Sequence, residues 1–174
     1  MVEIAEGCTL DSLPPMIRLV LQGRAAALDA AAGALGLDAV PPLLRAASGA
    51  GGQALRLGPF ELMILPALGS RAGLDAALAA LPHSLVDVSD RHVGFVLEGA
   101  RAADILAGLC PLDFAPSSFP VGMVTRTLLD KAGAAIWRTG AQTFHIEVWR
   151  SFAPYVEAQL REVGRGISFS LLSV

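Results

Sequence analysis

Short apolar runs alternate with alanine-rich stretches along this chain, and the order in which they occur recurs. In RLVLQGRAAALDAAAGALGL (Arg18–Leu37) an apolar strand leads to Gly23 and then to an alanine-rich helix. VGFVLEGARAADILAGLCPL (Val93–Leu112) repeats the series: apolar strand, Gly99, alanine-rich helix, stop. LVLQGR and FVLEGAR align almost letter for letter, and self-similarity of this kind marks a repeated structural unit.

The correspondence continues downstream. Ala54–Leu81 reads as strand, Gly-Pro turn, strand, and a helix opened by Ser70; Ala134–Leu160 reads as strand, Gly140 turn, strand, and a helix opened by Ser151. Phe60, Leu62 and Ile64 alternate in the first hairpin as Phe144, Ile146 and Val148 do in the second, so each trio is expected on one sheet face. Leu74, Leu78 and Leu81 stand at i, i+4, i+7 behind Ser70, a good helix N-cap. Phe152, Tyr155, Val156, Leu160 and Val163 form a similar stripe behind Ser151, and Glu157 and Arg161 make an i, i+4 pair in the favourable order. Each half is therefore expected to be β-α-β-β-α, with pseudo-repeats at about 15–82 and about 90–164. Additional strands are expected at Leu85–Ser89, Val121–Leu128 and the uncharged tail GISFSLLSV. The fold class is an internally duplicated α+β domain over 1–174.

Composition narrows the setting. Hydrophobic residues make up 53% of the 174 and charged ones 17%, against about 45–50% and about 25% for typical soluble domains. So few charges leave little to solvate a free surface, and some of that surface is expected to lie under a partner. A net charge of −3 without a Lys/Arg run speaks against nucleic acid and anionic membranes. No uncharged stretch reaches the roughly 18 residues of a membrane helix. Glu3 and Glu6 stand where a secretion signal needs positive charge, and Cys8 and Cys110 have no paired spacing. A cytoplasmic chain with reduced thiols is expected.

Candidate chemistry concentrates at Asp87, Ser89, Asp90, Arg91 and His92. In an extended strand Asp90 and His92 share a face, and a carboxylate beside an imidazole can tune a general base. No serine or cysteine is placed by sequence to complete a triad, so the cluster also fits residues that satisfy backbone groups at a crossover between the halves. Gly99 lies between strand and helix, where a phosphate site would sit; its repeat mate Gly23 points instead to shared backbone geometry. GAGGQA (Gly49–Ala54) satisfies G-x-G-x-x-A but precedes a strand, and reads as a flexible loop. His83, His92 and His145 lack metal-ligand spacing, so no metal site is expected. Cys110 reads as a small buried apolar residue, and Trp137 and Trp149 as core or interface. No residue is assigned as catalytic.

Three phrases carry a family resemblance: VDVSDRHVGFVLEGARAADILAGLCPLDF, FPVGMVTRTLL and FHIEVWRSFAPYV. They resemble the gamma subunit of heterotetrameric sarcosine oxidase, most specifically in GLCPLD…PSSFPVG (Gly108–Gly122) and in VWRSF. The resemblance covers nearly the whole chain in element order, most closely from about Leu85 to Val163. It implies a bacterial, cytoplasmic complex of alpha, beta, gamma and delta subunits that oxidatively demethylates sarcosine to glycine, forming hydrogen peroxide and passing a one-carbon unit to tetrahydrofolate. It further implies that FAD, FMN, NAD and tetrahydrofolate belong to other subunits, and that this chain is noncatalytic and packs chiefly against alpha. The fold implied is similar to the folate-binding domain of glycine-cleavage aminomethyltransferase, whose D-[VL]-S strand Asp87 and Ser89 match. The alternative is a stand-alone folate-binding or one-carbon-transfer protein, with Asp90, Arg91 or Arg126 holding the ligand in a cleft between the halves.

Overall fold

A computed structural model describes residues 2–171, with side chains placed through residue 167. Two strands open the chain, β1 (Val2–Ala5) and β2 (Cys8–Ser12). There follow β3 (Leu19–Gly23), α1 (Ala25–Ala34), β4 (Ala46–Gly49), β5 (Gly52–Gly58), β6 (Glu61–Pro66), α2 (Arg71–Leu78) and β7 (His83–Asp87). The rest comprises β8 (His92–Gly99), α3 (Ala102–Ala107), β9 (Val124–Leu129), β10 (Ala132–Gly140), β11 (Thr143–Trp149) and α4 (Ala153–Leu171). The chain forms two compact units, one of Pro15–Ser89 and one of Met1–Pro14 with Asp90–Val174.

In the Pro15–Ser89 unit the sheet runs β4-β5-β6-β3-β7. Leu19 and Leu21 pair with Ile64 and Leu62, and this face packs Leu28, Ala31 and Leu35 of the α1 region and Leu74 and Leu78 of α2. β6 is apolar and buried at Leu62, Met63, Ile64 and Leu65, an unbroken run that makes both of its faces apolar. In the other unit the sheet runs β9-β10-β11-β8-β2-β1, the same order with each strand one repeat later, except that β2 from the N-terminus stands where β7 does. Phe95 and Leu97 pair with Ile146 and Phe144, and α3 and α4 cover them through Ile105, Leu106, Val156 and Leu160.

Five local expectations are corrected. Residues 166–171 of the tail are helical, the end of α4, and not a strand; 172–174 lie outside the described residues. The I-S-F-S alternation there resembles a strand, but Ile167 lies four residues after Val163 and extends the helical stripe onto the core. Ser70 is already helical (φ −77°, ψ −11°) and makes no capping bond, and Ser151 lies within a 3-10 turn, Arg150–Phe152. A serine caps only from an extended backbone. Phe60 is 62% exposed in the β5–β6 turn, outside the strand that holds Leu62 and Ile64. GAGGQA is a tight β4–β5 hairpin: Gly52 has φ +129°, and a Cβ there would stand 2.4 Å from the Leu65 carbonyl oxygen. Gly99 has φ +136° whereas Gly23 does not enter the left-handed region, so the repeat mates differ in backbone geometry.

Candidate functional site

The Asp87–His92 cluster is not an extended strand. Asp87 Oδ1 accepts from the Ser89 amide (2.9 Å) and hydroxyl (2.6 Å), which turns the chain into a 3-10 segment at Ser89–Arg91. Ser89 Oγ in turn accepts from the Arg18 amide at 3.0 Å. The two bonds from Ser89, with Arg71 at 3.8 Å, hold the Asp87 carboxyl below the usual aspartate range. Asp90 lies in the 3-10 turn and His92 on β8, so the shared strand face expected for them does not form. Asp90 contributes its carbonyl, which accepts from Arg150 Nε at 2.6 Å. Arg91 is exposed, its guanidinium 4.2 Å from the centre of the Trp149 ring.

Arg126 is elsewhere. It pairs in register with Ala135, Ala135 with Glu147, and Glu147 with Gly94. Three strand spacings therefore separate Arg126 from β8, about 14 Å at the usual interstrand distance. The strand alternation brings Arg126 beside neither Asp90 nor Arg91.

Other polar groups are buried where the sequence reading assigned nothing. His145 Nε2 stands 2.7 Å from Glu147 Oε1, with the residues 8% and 2% exposed. The i, i+2 spacing that puts them on one face of β11 was the available signal. The Trp137 ring stands 5.9 Å from His145, and Trp137 Nε1 finds no partner among the described residues. Trp137 is thus buried, while Trp149 is exposed.

Arg138, also buried, lies on β10 and reaches over to the loop between α3 and β9. Its Nη1 donates to the carbonyls of Phe114 (3.1 Å) and Phe119 (2.8 Å), and it also reaches those of Gly140 and Ala141. Asp113 organises the same loop by accepting from the Ala115 amide and the Ser118 hydroxyl. GLCPLD…PSSFPVG is therefore a built loop that seats Phe114 and Phe119 against Phe144.

The thiols are sequestered. Burial pushes Cys8 upward in pKa, and Cys110 Sγ lies 3.2 Å from Thr127 Oγ1. Among the described residues no three His, Cys, Asp or Glu side chains could together hold a metal ion, and no helix is long and apolar enough to cross a membrane. A recess of about 80 Å³ at Glu3, Ile4, Arg161 and Arg165 falls well short of the roughly 300 Å³ of a ligand pocket. Backbone packs closely against both the Gly99 and the Gly49 turns. A Cβ at Gly99 would meet the Gly7 carbonyl oxygen at 2.1 Å, and one at Gly49 the Leu35 carbonyl oxygen at 2.2 Å.

Two antiparallel sheets, each in its own unit with helices on one face, make this a folate-binding-like α+β fold. Glycine cleavage system aminomethyltransferase T from Bartonella henselae shares it with a TM-score of 0.70 over 88% of this chain and 45% of that one; at 17% identity the likeness is one of fold. Residues 22–164 match the sarcosine oxidase, gamma subunit family, and the chain belongs to that family. Sarcosine oxidase subunit gamma of Arthrobacter sp. is 35% identical over 120 residues, 67% of this chain and 59% of that protein. Its counterpart in Corynebacterium sp. (strain P-1) is 33% identical over 103 residues, 58% and 51% respectively. The matched segments thus span only about half of these relatives' own length. A chain in heterotetrameric sarcosine oxidase from Corynebacterium sp. U-96, solved in complex with pyrrole 2-carboxylate, superposes with a TM-score of 0.85 at 28% identity, over 92% of this chain and 85% of that one.

Proposed function

We propose that this chain is a noncatalytic structural or assembly subunit of a heterotetrameric sarcosine oxidase, packing chiefly against the alpha subunit beside beta and delta in the cytoplasm. The observation that carries the reading is the superposition over 92% of the chain on part of a heterotetrameric sarcosine oxidase, together with the family match over residues 22–164. FAD, FMN, NAD and tetrahydrofolate are assigned to the other subunits, as the family relationship implies. The chain is read as one gamma-like domain of two pseudo-repeats, about 15–82 and about 90–164, and the matching strand orders support this.

The test is to co-express the chain with alpha, beta and delta, follow the complex by size exclusion with light scattering, and assay sarcosine-dependent peroxide. The complex is then rebuilt without this chain. Remaining subunits that aggregate or separate, and regain activity when the chain returns, are the expected result. Remaining subunits that stay assembled and fully active would overturn it.

One observation favours the folate-binding alternative: Arg91 is exposed and meets no carboxylate among the described residues, so it could pair with the glutamate of a folate. Calorimetry with tetrahydrofolate at millimolar concentration decides this. Heat that Arg91→Ala abolishes supports it, and no heat removes it.

A further inference from the structure

β11 ends at Trp149, and the chain turns through Arg150–Phe152 into α4. Strand alternation puts Trp149 on the face of His145 and Glu147. Those two are buried, but Trp149, at the strand's end, is 46% exposed, and Phe152 is 39% exposed. Their rings stand 6.4 Å apart. Arg91, from the preceding 3-10 turn, lies over the Trp149 ring at 4.2 Å. Arg150 fastens the two segments together by donating to the Asp90 carbonyl at 2.6 Å. Two aromatic rings and two guanidiniums from segments distant in sequence are thereby held in one place.

Folding alone does not account for this corner. Burial stabilises a side chain in proportion to the apolar area removed from water, and much of both rings is left outside. Arg91 and Arg150 are both exposed and neither forms an ion pair among the described residues, so both guanidiniums are open to a carboxylate from outside the chain. Trp and Arg are the residue types that dominate binding energy at protein interfaces, and a ring already held by a stacked guanidinium loses little freedom on docking.

We propose that the Arg91–Trp149–Arg150–Phe152 corner is a docking surface for the alpha subunit of the heterotetramer. That subunit lays an apolar side chain against Trp149 and Phe152 and a carboxylate against the two guanidiniums. The inference rests on the assembly reading above, which identifies the occupant as a protein chain; the unpaired cations identify the charge it presents.

The test uses the assembled complex. Alpha, beta and delta are co-expressed with the native chain, with a Trp149→Ala/Phe152→Ala double variant or with Arg91→Glu, and the Kd for this chain is read from dissociation of the purified complex on dilution, followed by light scattering. The double variant is expected to bind at least about 30-fold more weakly, as loss of a hot-spot aromatic does. Arg91→Glu is expected to lose about 10-fold at low salt and less at 0.5 M salt, where exposed charge pairs are screened. Melting temperatures measured alongside separate lost docking from lost folding, and Arg91→Glu, which removes no core packing, stays informative if the double variant unfolds. A native chain that assembles while Arg91→Glu binds equally tightly at low salt overturns the docking surface alone. A native chain that never assembles overturns the subunit reading and the docking surface with it. Self-association that the variants abolish, with hetero-assembly unchanged, would make a second copy the occupant and also overturn the proposal.

Discussion

Replacing Arg138 with methionine should destabilise the Met1–Pro14/Asp90–Val174 unit by about 3 kcal/mol, a figure built from the bonds the guanidinium makes. Arg138 is 5% exposed and donates to four carbonyls, those of Phe114, Phe119, Gly140 and Ala141. Methionine keeps the stem length and packing beside Phe144, so the loss falls on the polar end. The bonds to Phe114 and Phe119 are buried, and each stranded acceptor costs about 1–3 kcal/mol. The Gly140 and Ala141 bonds are only partly buried, and those carbonyls can recover water. The guanidinium also stands 5.1 Å from the Phe144 ring centre, a contact contributing about 0.5–1 kcal/mol. Against these losses, removing a buried cation returns part of its desolvation cost, which brings the net to about 3 kcal/mol. At about 2–4 °C per kcal/mol for a chain of this size, the melting temperature should fall by about 6–12 °C. Arg138→Lys should recover only part, because one ammonium cannot reach all the carbonyls a planar fork spans. The assay is urea and thermal unfolding with hydrogen exchange on residues 111–123, where Gly122 donates its amide to the Arg138 carbonyl. A variant within about 0.5 kcal/mol of native, as an ordinary surface change would be, with that loop's exchange unchanged, would refute the reasoning.

Two further outcomes follow from the same geometry. Gly99→Ala should cost well over 2 kcal/mol and sharply reduce soluble yield, because a Cβ there meets the Gly7 carbonyl oxygen at 2.1 Å in a backbone with φ +136°; a melting temperature unchanged from native would show that β2 and β8 approach less closely. The Asp87 carboxyl is held low by its two bonds from Ser89 and then by Arg71, so its contribution is present above the unfolded aspartate pKa of about 3.9 and is lost as pH falls through the lower folded value. Ser89→Ala should raise the Asp87 midpoint in a carboxyl NMR titration and narrow its stability deficit on acidification; an unmoved midpoint would count against the turn.

What the sequence alone determined is what short-range periodicity and self-similarity determine. The period of two in β11 and the period of 3.6 in α2 and α4 are written into residue spacing. The recurrence of LVLQGR in FVLEGAR aligns β3 with β8 before any contact is known. The Glu157–Arg161 pair, at 2.6 Å in the structure, follows from helical spacing alone. The family phrases were likewise legible, being strings of residues. Tertiary structure decided whatever depends on groups distant in the chain. That β2 pairs with β8 and fills the place β7 takes in the other sheet is a long-range choice that no local pattern records. Whether the tail continues α4 or forms a strand depended on Ile167 reaching the core, since I-S-F-S alternates while Val163 and Ile167 keep helical spacing. The Asp87–Ser89 turn broke the strand that would have set Asp90 beside His92, because a side chain accepting two local hydrogen bonds outcompeted extension. Nothing in its strand position marks Arg138, whose role comes from the loop from Asp113 to Phe119 folding back over it. A guanidinium's partners there are carbonyls, which every residue carries and no sequence pattern distinguishes.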